Sequence, residues 1–181
     1  WMTENLRTTK YSDGTAIPNV TDNDEWKNLS TGAWCHYDND STQYEATYGK
    51  LYNWYAASDS RNVCPTGWHL PTDAEWTVLT DYLAEDGHSG TEGIALKAKS
   101  GWDDSYGQSG NGTDDYGFSG LPGGYRYSDG FFISIGTSVS WWSSSKVTNW
   151  AWNRLLIYVD DSLSRQVNNN RRGFSIRCLR D

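Results

Sequence analysis

Three pairs of adjacent carboxylates, Asp103-Asp104, Asp114-Asp115 and Asp160-Asp161, are the residues best suited by type to hold calcium. Calcium takes about six to eight oxygens at fixed spacing, as in an Asp-x-Asp-x-Asn-Gly loop, and none of the pairs has that pattern. Each is expected to serve a solvated turn. The histidines stand apart at His36, His69 and His88, and Cys35, Cys64 and Cys178 include no Cys-x-x-Cys pair. His36 adjoins Cys35, but neighbours on a strand point to opposite faces and make poor co-ligands. No metal and no other cofactor is expected. Ser143-Ser144-Ser145 has no histidine close by, so its hydroxyls are read as strand-end groups rather than nucleophiles. Gly107 to Gly112 leads to no Lys-Ser or Lys-Thr, so it is not a phosphate loop. With no convergent acid, base and nucleophile, the chain is expected not to be an enzyme.

The densest basic group is Arg171, Arg172, Arg177 and Arg180, on a chain of formal charge -8. Phosphate neutralisation needs clustered cations, so nucleic acid is excluded as a partner, and these arginines read as edge-strand and terminal charges. Eleven Trp and twelve Tyr against four Phe favour aromatic bulk with a polar handle, common at core rims and binding surfaces. Eighteen Gly add many tight turns. At 181 residues one domain spanning 1–181 is expected. No apolar run approaches the roughly 20 residues of a membrane helix. The abrupt opening at Trp1-Met2-Thr3 reads as trimmed upstream, which is compatible with a lipid anchor before Trp1.

The elements that must position these residues are short. Residues 1–34 read as extended pieces between turns, 38–43 as a polar loop, and 49–57 as ambiguous between strand and helix. Thr72 with Glu75 predicts a capping box opening the main helix, about 72–84, with Trp76, Leu79 and Leu83 on one face. A second short helix is expected over 94–99, then a glycine-rich loop over about 100–130. Strands are expected at 141–143, 151–159 and 172–179, with Trp141, Trp142, Trp152 and Phe174 as core anchors.

Cys64-Pro65-Thr66-Gly67-Trp68-His69-Leu70-Pro71-Thr72-Asp73-Ala74-Glu75-Trp76 resembles the segment that marks the Fibrobacter succinogenes major paralogous domain. Tyr48-Gly49-Lys50-Leu51-Tyr52, Leu121-Pro122-Gly123-Gly124-Tyr125-Arg126, Trp141-Trp142-Ser143-Ser144 and Gly173-Phe174-Ser175-Ile176-Arg177-Cys178 resemble its other landmarks, in the same order. The chain is similar, more distantly, to the formylglycine-generating-enzyme branch of C-type-lectin-like folds. That resemblance implies an α+β domain with small twisted antiparallel sheets, one main helix and long irregular loops. It also places the segments of Cys64 and Cys178 side by side, which implies that these two form the one disulfide and leave Cys35 a thiol. The oxidase chemistry of that branch does not carry over, because Cys178 stands alone where a reactive pair is needed. Trp152-Asn153-Arg154 puts a cation where a calcium lectin needs a carboxylate, so its calcium-sugar site is expected to be absent.

Lectin-fold proteins of this branch include targets of diversity-generating retroelements, which randomise adenines, often in asparagine codons, near the end of a gene. Asn149, Asn153, Asn168, Asn169 and Asn170 cluster there, beside Trp150, Leu155, Ile157, Val159, Asp160, Leu163, Gln166 and Arg171, with no consistent polarity. These thirteen residues are the expected ligand-contacting face. The expected function is a secreted or cell-surface binding module, monomeric, for a protein or glycan ligand on another surface. The alternative is a calcium-independent carbohydrate-binding module.

Overall fold

Local capping chemistry starts most of the helices in the computed structural model, which describes all 181 residues. In α1 (Asn23–Lys27) the Asp22 carboxylate accepts from the Glu25 amide, and Trp26 is buried. β1 (Trp34–Cys35) leads through a 3-10 turn at Tyr37–Asn39 into α2 (Ser41–Tyr48), where Asp40 accepts from the Gln43 amide. The expected polar loop at 38–43 is thus largely helical. Since α2 buries no side chain, no apolar stripe marks it in the sequence. β2 (Leu51–Tyr52) pairs antiparallel with β1. Asn53 then caps α3 (Trp54–Ala57) by accepting from the Ala56 amide, so the ambiguous stretch 49–57 is strand first and helix second.

β3 (Trp68–His69) precedes α4 (Asp73–Leu83), which has the expected Thr72–Glu75 capping box and fully buries Trp76 and Leu83. It continues as a π-helical turn, Ala84–His88, in which Gly87 takes φ 98°. α5 (Glu92–Leu96) overlaps the expected second helix. No helix is long and apolar enough to cross a membrane.

β4 (Gly123–Arg126), β5 (Phe132–Ile135), β6 (Ser138–Val147), β7 (Trp150–Ile157) and β8 (Ser164–Asn169) form one sheet in the order β5-β4-β6-β7-β8. Its pairs are antiparallel except β4 with β6. β8 lies outside the expected strands. The expected strand at 172–179 reduces to isolated bridges from Gly173, Phe174 and Ser175. β9 (Leu179–Arg180) then pairs with β3. The architecture is mixed α+β, with two small two-stranded sheets beside the larger one.

Adjacent strand residues face opposite ways, and Trp141 and Trp142 use this to feed two cores. Trp141 lies 6.1 Å from Trp76 and 5.4 Å from Phe118, under α4. Trp142 lies 4.3 Å from Phe174, in the cluster that also holds Tyr52 and Ala151. Trp152, expected in the core, is only half-buried, and the Arg165 guanidinium covers its ring at 3.6 Å. The glycine-rich loop ahead of β4 is pinned by polar bonds. Trp102 Nε1 donates to the Gly120 carbonyl, and the Asp114 carboxylate accepts from both the amide and the hydroxyl of Ser119. Asp160 holds Ser162 in the same way. No three His, Cys, Asp or Glu side chains converge to hold a metal ion.

Cys64 and Cys178 are joined in a disulfide across 114 residues of chain. Cys35 is a buried thiol, and desolvation pushes it up to about 12.

Arg126, Arg154 and Arg177 are all fully buried, which corrects the reading of Arg177 as a terminal surface charge. Arg154 donates to Asp73 Oδ1 at 2.6 Å, and Arg165 reaches the same carboxylate from the rim. Burial alone would raise the Asp73 carboxyl, but hydrogen bonds from Arg165 and Arg154 outweigh it and hold it below its ordinary value. A depressed carboxyl contributes stability that is complete above its unfolded pKa and lost as pH falls through the folded one. Asp73→Asn leaves Arg154 buried without a counter-charge, so it is expected to cost about 3–5 kcal/mol near neutrality. Melts of both proteins from pH 6 downwards should keep their gap to about pH 4 and close it only further down, as the wild-type carboxyl protonates at its depressed folded value. A gap that persists in acid would mean that geometry rather than charge is lost.

Candidate ligand-binding site

The end of the large sheet is shaped by an irregularity in β6. Its register with β7 shifts between Trp142 and Lys146, and the displaced residues are the serine run. Ser143 Oγ donates to the Trp152 carbonyl, Ser144 N to the Pro71 carbonyl, and Ser145 Oγ accepts from the Asp73 amide. These serines therefore stitch a mid-strand bulge to β7 and to the start of α4; they are not strand-end groups. Bulges bend and twist a strand and re-aim the residues beyond them. Past this bulge a two-residue turn, Thr148-Asn149, joins Val147 to its partner Trp150. Thr148 takes φ 51°, a costly conformation for a β-branched residue.

α3 closes one side of this hairpin end. Trp54 donates its backbone amide to the Asn170 carbonyl and its indole N–H to the Ser143 carbonyl, so both its backbone and its ring are held. Between α3 and the hairpin lies a cleft of about 460 Å3. Its walls are Trp54 and Tyr55, then Lys146, Thr148 and Asn149, then Asn169, Asn170 and Arg171. Arg171 is oriented by donating Nε to the Leu29 carbonyl, and its amide is held by Asn169 Oδ1. Asn170 is 8 % exposed and its Oδ1 has no hydrogen-bond partner.

Beside the cleft, the same hairpin end carries an exposed apolar strip. Trp150 lies opposite Val147 on β6 and Asn169 on β8, and Trp152 lies opposite Val167. Trp150 is 47 % exposed, and Val147 and Val167 are 40 % exposed each. Phe131 and Ile133 make a smaller exposed pair elsewhere, without an indole. A recess of about 520 Å3 along Trp1–Arg7 is wider than the cleft, but its cation, Arg7, is already paired with Glu4 at 3.1 Å.

The thirteen expected contact residues do not form one surface. Asn149, Asn169, Asn170 and Arg171 line the cleft, and Trp150 stands outside it on the same hairpin, cross-strand from Asn169. Asn153, Leu163 and Asn168 are buried and unavailable for contact, and most of Asn170 is too. Asn168 Nδ2 donates to Asn153 Oδ1 at 2.8 Å inside the sheet, and Leu163 joins the core under α4. Leu155 and Ile157 are half-buried in β7 and Gln166 is exposed on β8. Val159 and Asp160 lie beyond the far end of β7, about 23 Å from Trp150 at strand rise. Asp160 is committed to its turn.

Sequence reading missed Trp54, Tyr55, Lys146 and Thr148. The first two are remote in the chain, and the others lie past a bulge that no alternation pattern reveals.

A family profile described as the Fibrobacter succinogenes major domain matches residues 1–180. The chain belongs to that family. No curated protein and no solved structure matches it significantly. In this Fibrobacter succinogenes major domain, the landmark Thr72-Asp73-Ala74-Glu75-Trp76 has a structural role. Thr72 and Glu75 cap α4, Asp73 holds two arginines, and Trp76 fills the core.

Proposed function

We propose that this domain is a secreted or surface-displayed binding module on a C-type-lectin-like scaffold, with no catalytic activity, and that its contact surface is the β6–β7 hairpin end. The observation that carries this reading is Trp150, half-exposed on a paired hairpin with Val147 and Val167 beside it. Soluble domains seldom leave such strips uncovered unless a partner covers them, and a fixed indole anchors a partner at low entropic cost. The disulfide supports an oxidising, extracellular setting. Calcium-independent binding is favoured because Asn153 Oδ1 is taken by Asn168, and Arg154 by Asp73. Retroelement diversification fits at Asn149 and Asn169; rewriting Asn153 or Asn168 would break a buried bond.

Binding to a glycan array and to intact bacterial surfaces, measured in chelator, tests the reading with the wild type and Trp150→Ala. The variant is expected to melt within about 2 °C of the wild type, as exposed substitutions do, and to lose about 30-fold or more in affinity for the captured surface. Unchanged affinity would move the contact surface elsewhere. A variant that aggregates would make Trp150 part of the core.

A further inference from the structure

We infer that the cleft between α3 and the hairpin takes a carboxylate-bearing saccharide, an inference that rests on the hairpin end being the contact surface. Three features of the cleft wall have to be met at once. The first is charge. On a chain of net charge -8 the wall carries two cations, Lys146 and Arg171, and no carboxylate. Neither cation has an acidic partner within salt-bridge distance anywhere in the protein; the ion pairs that form involve other residues. Arg171 is anchored through Nε alone, which leaves its terminal nitrogens, the pair suited to a bidentate carboxylate, without a protein acceptor.

The second feature is a pair of amides on the wall, Asn149, which is exposed, and Asn169, which is half-buried. Each amide both donates and accepts. Phosphate-like or carboxylate ions bring acceptors for the cations but no donor for an amide oxygen. A sugar acid brings both, its carboxylate for Lys146 and Arg171 and its ring hydroxyls for these two side chains. The third feature is the aromatic pair Trp54 and Tyr55, with the Trp54 indole fixed by its bond to Ser143. An apolar ring face packs against the C–H face of a pyranose while the amides bind its edge.

The test is calorimetric titration of the whole domain with three probes: trigalacturonate, its methyl ester, and polyglutamate. The ester keeps the hydroxyls and removes the charge; polyglutamate keeps the charge and removes the hydroxyls. Trigalacturonate is expected to bind, with the ester at least 10-fold weaker and polyglutamate showing no saturable binding. Raising the salt to about 0.5 M should weaken the trigalacturonate complex several-fold, as screening of an open site requires. Lys146→Gln and Asn149→Ala, both at exposed positions, should each weaken it at least 5-fold with melting temperature unchanged. Equal binding of the ester overturns the anionic ligand. Equal binding of polyglutamate overturns the saccharide and makes the cleft a reader of charge, such as an acidic peptide. If no probe binds while array capture still depends on Trp150, this inference fails and the hairpin-end reading survives. If trigalacturonate binds but neither cleft variant weakens it, the assignment to this cleft is overturned.

Discussion

Replacing Arg177 with Met is expected to lower the melting temperature by about 6–20 °C, because 1 kcal/mol shifts a domain of this size by about 2–4 °C and the loss is about 3–5 kcal/mol. Arg177 is buried between Phe118, at 4.2 Å from its guanidinium carbon, and Trp141, at 5.5 Å. Its nitrogens donate to Asn5 Oδ1 at 3.2 Å, to the Ser119 carbonyl at 3.0 Å, and to the Phe118 and Met2 carbonyls. None of these acceptors is a carboxylate. Burial therefore pulls the guanidinium down to about 9, only partly offset by Asp114 and Glu4, and it stays charged at neutral pH. The stability resides in satisfying oxygens on two separate segments, residues 2–5 and 118–119; Asn5 Oδ1 also accepts from the Trp141 indole, but no other side chain reaches the three carbonyls. Methionine fills comparable volume but leaves those oxygens unpaired, at about 1–3 kcal/mol for each one that water cannot reach. Arg177→Lys should recover only part of the loss, since an ammonium cannot span the planar fork. A loss under about 1 kcal/mol in Arg177→Met, from chemical denaturation, would show that water replaces the guanidinium and that its burial is not structural.

Removing the Cys64–Cys178 bond by paired alanine substitution is expected to cost about 5 kcal/mol in the chain-entropy treatment. The bond spans 114 residues, so the unfolded chain it constrains loses a large closed loop. In the native state it ties the segment before β3 to the end of the chain, where β3 and β9 contribute only two paired residues each. That small sheet cannot hold the ends together by its own hydrogen bonds, which is why the covalent link matters. Denaturation of the double variant, and of wild type with reductant, should agree within about 1 kcal/mol, since both delete the same constraint. A reduced protein as stable as the oxidised one would mean that the unfolded chain stays compact around that link.

What the sequence made legible was whatever one local segment decides. The capping box of α4 needs only Thr72 and Glu75, and the opposed burial of Trp141 and Trp142 needs only strand alternation. The pairing of Cys64 with Cys178 came from likeness to a family rather than from spacing. What escaped was set by tertiary context. β8 reads Ser-Arg-Gln-Val-Asn-Asn, with polar residues on both faces, because one face carries bonds such as Asn168 to Asn153 instead of apolar packing. The buried arginines look like surface charges until the carbonyls around them are known. The candidate site failed as a contiguous stretch for a simpler reason. A strand crosses the whole domain, so residues 149 to 171 visit both of its ends and both of its faces.

The buried Cys35 thiol has a consequence for how the chain matures. Three cysteines allow three single bonds, and only one is native. Ring closure in an unfolded chain falls as roughly the three-halves power of loop length, so the Cys35–Cys64 loop, about a quarter as long as the native one, closes about eight times as often. Early oxidation thus favours a wrong bond that holds Cys35 away from β2 and Cys64 away from its partner. Rescue comes from compaction. Once Trp34 and Cys35 pair with β2, the thiol is enclosed and, with its proton retained by burial, no longer attacks. Oxidative refolding of wild type should therefore pass through a mispaired species and speed up with a disulfide isomerase, whereas Cys35→Ala should refold in one phase without that help.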